Sequence, residues 1–308
     1  MKSKAWLATC IAAGSIAGAG CGQANGAEDG SAFHDVVCQI AGSPVALPDE
    51  VRETSGLAHS RLDRDALWTH NDRGHSPHLY AIDRQGRLVQ RVEVTGASNV
   101  DWEDLESGPC DRGTCLFIGD IGDNDAVRPF ITIYVVPEPE ASVSRTEEAR
   151  SFHARYPDGP EDAESLFLLD GELYIITKGG HRPVTLYRHP SGRESGDTVT
   201  LELVREIAPQ AARRGDLVTA ATTSSDGRWI GIRSYSTLFI YPARSLIEGP
   251  FEPHIIDLRP LREIQGEGLA IAGDGTVWVS SEAESRRDTS LLGRLQCTFP
   301  QPATGVNE

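Results

Sequence analysis

From Val36 to Thr298 the apolar residues fall in short runs bounded by Gly, Pro, Asn, Asp or Ser, and almost nothing keeps the period of a long amphipathic helix. Five segments share one grammar: a short polar-then-apolar opening, a turn, then an aromatic-rich strand with polar residues at its end. They open at Thr54-Ser55-Gly56-Leu57, Trp102-Glu103-Asp104-Leu105, Ala163-Glu164-Ser165-Leu166, Val218-Thr219-Ala220-Ala221 and Gly266-Glu267-Gly268-Leu269. Their second strands are predicted at Leu67–Asp72, Leu116–Asp120, Leu173–Lys178, Trp229–Arg233 and Val277–Glu282. The openings are spaced by 48, 61, 55 and 48 residues.

A third strand is expected in every unit, at His78–Asp83, Ile131–Val136, Val184–Arg188, Leu238–Tyr241 and Ser290–Leu295. A fourth follows in the first four, at Leu88–Val94, Ser151–Arg155, Leu201–Ile207 and Pro253–Leu258. Asp170-Gly171, Ser225-Asp226-Gly227 and Gly273-Asp274-Gly275 read as tight hairpins between first and second strands. Four-stranded units at this period predict an all-β fold, a single five-bladed β-propeller over residues 34–299. The fifth unit lacks its outer strand, and Asp35–Ile40 is predicted to supply it, closing the ring from the N-terminus.

The cysteines support that closure independently. On neighbouring strands Cys38 and Cys297 can bridge, and Cys110 and Cys115 share one short loop and pair locally. Residues 1–20 carry Lys2 and Lys4 ahead of a short apolar stretch that ends in Gly18-Ala19-Gly20-Cys21, resembling a bacterial lipoprotein signal. Lipidation of Cys21 would leave four cysteines to pair completely. Gly18 stands where such signals usually carry Leu, so ordinary secretion is the alternative. Residues 21–33 read as a flexible tether and 300–308 as a disordered tail. The expectation is an exported protein facing the periplasm or cell exterior, held to a membrane by its lipid.

The chain has 308 residues, 39% hydrophobic and 24% charged, enough to bury a core and too apolar for wholesale disorder. A net charge of −16 makes nucleic acid an unsuitable partner, and the body offers nothing to an anionic membrane. No G-x-S-x-G, H-E-x-x-H or P-loop occurs, so serine-hydrolase, zincin and Walker chemistry have no support.

Aligned openings place one oxygen-bearing residue per blade on the axis: Ser55, Glu103, Glu164, Thr219 and Glu267. Three carboxylates converging there would raise one another's pKa values unless a cation neutralised them, and a hard oxygen cage suits Ca²⁺. The column of hydroxyl, Glu, Glu, hydroxyl, Glu is similar to the axial calcium ligands of the five-bladed calcium-activated nucleotidase (apyrase) family. Members of that family hydrolyse nucleoside di- and triphosphates. The stretches Ser-Gly-Leu-Ala (55–58), Trp-Thr-His-Asn-Asp (68–72), Asp-Trp-Glu-Asp-Leu (101–105), Gly-Asp-Ile-Gly-Asp-Asn (119–124) and Ile-Tyr-Val-Val-Pro-Glu-Pro (133–139) resemble exported bacterial propeller proteins of unestablished activity.

The ends of the second strands share a rim with the axial column. Asp72, Asp120, Lys178, Arg233 and Glu282 are the candidates there, with the cations holding an anion and an acid orienting water. Lys178 is the only lysine after the signal segment. Ion pairs among these same groups are the plainer reading. Two functions stand: a monomeric calcium-binding module whose rim takes a small molecule or protein, and a calcium-dependent phosphoanhydride or phosphoester hydrolase.

Overall fold

A computed structural model of the chain describes residues 36–191, 195–250, 252–283, 285 and 287–300. Cys21, the signal segment, the tether and residues 301–308 lie outside them. Each repeat forms one antiparallel sheet, and there are five sheets, as the period requires. Blade 1 is Thr54–His59, Ala66–Asn71, His78–Asp83 and Leu88–Glu93. Blade 2 is Trp102–Cys110, Gly113–Asp120, Ile131–Pro137 and Arg150–Arg155. Blade 3 is Ala163–Leu169, Glu172–Thr177, Val184–Arg188 and Glu202–Ala208. Blade 4 is Val218–Thr223, Trp229–Ser234, Thr237–Pro242 and His254–Asp257. Blade 5 joins Gln265–Ile271, Thr276–Glu282 and Leu291–Thr298 to the N-terminal strand Val37–Ile40.

Cys38 stands directly opposite Cys297 in that last pairing, and the two are bridged. Cys110 bridges Cys115 across the hairpin of blade 2. Both predicted disulfides are therefore present, and such bonds belong to an oxidising compartment.

Why the strands are apolar on both faces follows from the core. It consists of five clusters, and each fills one seam between neighbouring blades. The seam between blades 5 and 1 sets Ala270, Trp278 and Leu292 against Leu57, Leu67 and Tyr80. That between blades 4 and 5 sets Trp229, Leu238 and Ile240 against Leu269, Val277 and Leu295. Among the described strands, the outer ones turn large apolar side chains to solvent, as with Ile255 and Leu203. The Asp170-Gly171 hairpin has both residues at positive φ, 51° and 81°, the backbone a two-residue primed turn needs.

Among the described residues two strands and one α-helix lie outside the repeat grammar. Val45–Ala46 adds to Leu291–Thr298, Thr198–Thr200 runs parallel to the outer strand of blade 2, and Ala243–Glu248 is a short helix. Segments of two to six residues with no heptad or sustained alternation give a periodicity argument nothing to detect.

Candidate functional site at the axial rim

Every first strand carries a register irregularity at its start. The pairing slips between Thr54 and Leu57, Trp102 and Asp104, Ala163 and Ser165, Val218 and Ala220, and Gly266 and Leu269. Ser55, Glu103, Glu164, Thr219 and Glu267 are the residues inside those slips. A bulge leaves its extra residue out of the ladder and re-aims its side chain, so one device repeats at the predicted axial position of every blade. The facing strand ends on the same rim: Thr54 pairs Asn71, Trp102 pairs Asp120, Ala163 pairs Thr177, and Gln265 pairs Glu282.

All five axial residues are buried. The two hydroxyls brace successive blades, Ser55 Oγ donating to the Glu103 carbonyl at 2.6 Å and Thr219 Oγ1 to the Gly266 carbonyl at 2.9 Å. A hydroxyl that donates still has lone pairs for a cation. The three glutamates are less well supplied. Glu164 Oε2 and Glu267 Oε2 are buried with no hydrogen-bond donor, and Asp101 Oδ1 is too.

Acids crowd the rim. Carboxylate oxygens of Asp72, Asp101 and Glu103 all lie within 4.8 Å of one another. Burial, then the charges of Asp72 and Asp101, push the Glu103 carboxyl well above its ordinary range. Burial and then Asp72 lift Asp101 to about 6. Burial lifts Glu267 to about 7, although Gln265, Lys178 and Arg233 pull it down. Glu282 reaches about 9, through burial and then the neighbouring Glu267 and Asp72. Burial is the largest cause of every one of these shifts, and for Asp101, Glu103 and Glu282 the neighbouring acids add to it. Gly122 lets the loop lie against them: a Cβ there would collide with the Glu103 carboxylate and stand 2.6 Å from that of Asp101.

The rim cations are already engaged. Lys178 Nζ contacts the Glu164 carboxylate, lies 3.6 Å from Asp162 and reaches Asn124 Oδ1 at 3.4 Å. Arg233 is not free for the anion-holding role expected of it. It is fully buried, paired with Glu263 at 2.8 Å and donating to the Gly268 and Ser280 carbonyls, so it ties blade 4 to blade 5. Asp120 likewise serves its loop: it accepts the amide of Asp101 at 3.1 Å and Arg128 Nη2 at 2.8 Å. Arg128 also donates to the Gly122 carbonyl, and its own amide donates to Asp123. Asp72 and Glu282 remain with the acid cluster, and Lys178 stands beside it.

Sequence reasoning missed Asp101, Asp104 and Glu106. Asp-x-Glu occurs twice at equivalent places, 101–103 and 162–164, and that echo was the available signal for Asp101. Below the bulge the first strand of blade 2 turns Asp104 and Glu106 inward, with Leu105 between them. Asp104 bridges the axis: Oδ2 accepts the amides of Leu166 at 2.9 Å and Ala221 at 3.1 Å, from blades 3 and 4. Glu106 lies further down, accepting Thr222 Oγ1 and the amides of Ser107 and Thr223. Three histidines close in sequence, His70, His75 and His78, form no shared site among the described residues: His70 is buried, His75 pairs Glu53, and His78 touches Arg91.

No family model matches the sequence, and no curated protein matches it. Among solved structures the fold is similar to the PQQ-bound form of aldose sugar dehydrogenase from Streptomyces coelicolor. The TM-score is 0.52 at 10% identity, over 85% of this chain and 98% of that one. A glucose dehydrogenase aligns with a TM-score of 0.48 and 11% identity over 82% of this chain and 99% of that one. A luciferin-regenerating enzyme aligns at 0.47 and 9% over 85% and 95%. The likeness to the aldose sugar dehydrogenase concerns the fold alone, and it agrees with the five blades: the chain is a β-propeller.

Proposed function

We propose that the protein is an exported calcium-binding propeller, anchored through a lipidated Cys21, whose metal-closed axial rim is a docking site for a ligand or partner. The observation that carries this reading is the Asp72, Asp101 and Glu103 cluster with the donorless Glu267 Oε2, against which the ion pairs of Lys178 with Glu164 and of Arg73 with Asp101 supply only two cations. A carboxylate removed from water needs a donor or a cation. Glu103, Glu164 and Glu267 would hold the ion, with Ser55 and Thr219 completing an all-oxygen donor set. Such a set favours Ca²⁺, which accepts many oxygens in flexible geometry, over Mg²⁺.

Binding fits the rim better than hydrolysis does. Lys178, Arg233 and Asp120 each have partners that a phosphoryl-transfer role would require them to leave. The test is release of phosphate from a panel of nucleotides and phosphoesters with calcium present. The binding reading expects no turnover above buffer. Turnover that Glu164→Gln abolishes would replace it with the apyrase-like hydrolase. Mass spectrometry of the mature protein tests the anchor, which requires diacylglycerol mass on Cys21.

A further inference from the structure

The opposite mouth of the channel has a different chemistry. There the hairpins that end the first strands enclose a cavity of about 500 Å³, lined by His59, Arg61, Arg64, Arg84, Thr223 and Asp274 among others. A depression of about 410 Å³ adjoins it and shares Arg61, Thr223 and the buried Glu106. Volumes of this order suit small molecules.

Guanidinium groups dominate this mouth. Arg61 gives Nε and Nη2 to the Ser107 carbonyl at 3.1 and 2.9 Å. Arg84 is 3.2 Å from Asp65 and donates Nη2 to the Arg64 carbonyl at 2.8 Å. The Arg64 side chain pairs with nothing among the described residues. Against these three stand Asp274 and Glu106, whose carboxyl burial pushes up to about 7. Two polar atoms in the lining, His59 Nε2 and Thr223 Oγ1, are buried without a partner. Burial and the nearby Arg84 hold His59 neutral, with a pKa of about 4.

We infer that this mouth is a second binding site, for a small phosphate or phosphate monoester, held by Arg64 with Arg61 and Arg84 and hydrogen-bonded by His59 and Thr223. A phosphate dianion offers several oxygens to forks arriving from separate hairpins, where a carboxylate offers two. Apart from the His59 ring the lining has no aromatic face on which a sugar would stack. The inference is independent of the calcium reading.

The test is isothermal titration of inorganic phosphate, glycerol phosphate and acetate into protein stripped of metal over a chelating resin, with no chelator left in the buffer. Phosphate and its ester should bind, and acetate should not. Arg64→Ala, at an exposed position, should weaken phosphate binding by about tenfold, as loss of a charge-assisted contact does. Arg145→Ala removes the same charge from an exposed pair with Glu93 and should leave binding unchanged. Backbone amide shifts of Ser225 and Gly273 should move with phosphate. No phosphate binding, equal effects of the two substitutions, or acetate binding as tightly as phosphate would each overturn the assignment.

Discussion

Replacing Asp104 with alanine should loosen three blades at once. Its carboxylate accepts the amide of Leu105 at 2.8 Å within blade 2, and those of Leu166 at 2.9 Å and Ala221 at 3.1 Å from blades 3 and 4. The side chain is fully buried, so alanine leaves all three amides without this acceptor. An orphaned buried donor costs about 1–3 kcal/mol, so the three cost about 3–9 kcal/mol. That is a large share of the ~5–15 kcal/mol that stabilises a typical domain. Asn is milder, because its single amide oxygen can keep Leu166 and Ala221 and forfeits only Leu105, for a loss of about 1–3 kcal/mol. Equilibrium guanidinium unfolding of the metal-free protein, followed by tryptophan fluorescence, ranks the three. An alanine variant within about 1 kcal/mol of wild type, or an asparagine variant as unstable as alanine, would refute the bridge.

Metal-free stability should fall as pH rises. Glu267 and Glu282 titrate near 7 and 9 when folded against an ordinary 4.5, so the folded state keeps protons that the unfolded chain sheds. Their contribution is complete below about pH 4.5 and is lost as pH rises through about 7 to 9, and bound calcium should flatten this slope. Melting temperatures across that range, with and without calcium, check the sign. Replacing Cys38 and Cys297 with serine opens a loop of separation 259 and should cost about 5 kcal/mol in the chain-entropy model. The same change at Cys110 and Cys115, separation 5, should cost about 2 kcal/mol. Denaturant midpoints of the two double variants give the comparison.

The blades were legible because each is local. A strand, a turn and the next strand lie within one repeat, so apolar runs and Gly-Asp turns suffice to place them. Register between Cys38 and Cys297 followed from one missing strand and one even set of cysteines. The axial column was legible as an alignment, yet the reason its side chains share a rim was not. The bulges at Glu103, Glu164 and Glu267 change pairing by a residue without changing composition. What sequence could not show was mostly contact between blades. Asp104 meets amides 62 and 117 residues away, and Arg233 is sealed against Glu263 and blade 5. Asp120 was read as a water-orienting acid because nothing in its spacing reveals that Arg128 folds back onto it. Lys178 pairs with Asp162 and Glu164, acids at the start of its own blade, a contact its spacing alone does not reveal.

Calcium titration of metal-free protein, by calorimetry, bears most directly on the axial rim. Wild type should take up one Ca²⁺ per chain and release protons on binding, because carboxyls raised by burial must ionise to become ligands. Glu103→Gln, which removes one charge shared by the axial column and the Asp72 and Asp101 cluster, should abolish most of that heat. A titration without heat in wild type, or one that Glu103→Gln leaves unchanged, would contradict a metal-closed rim.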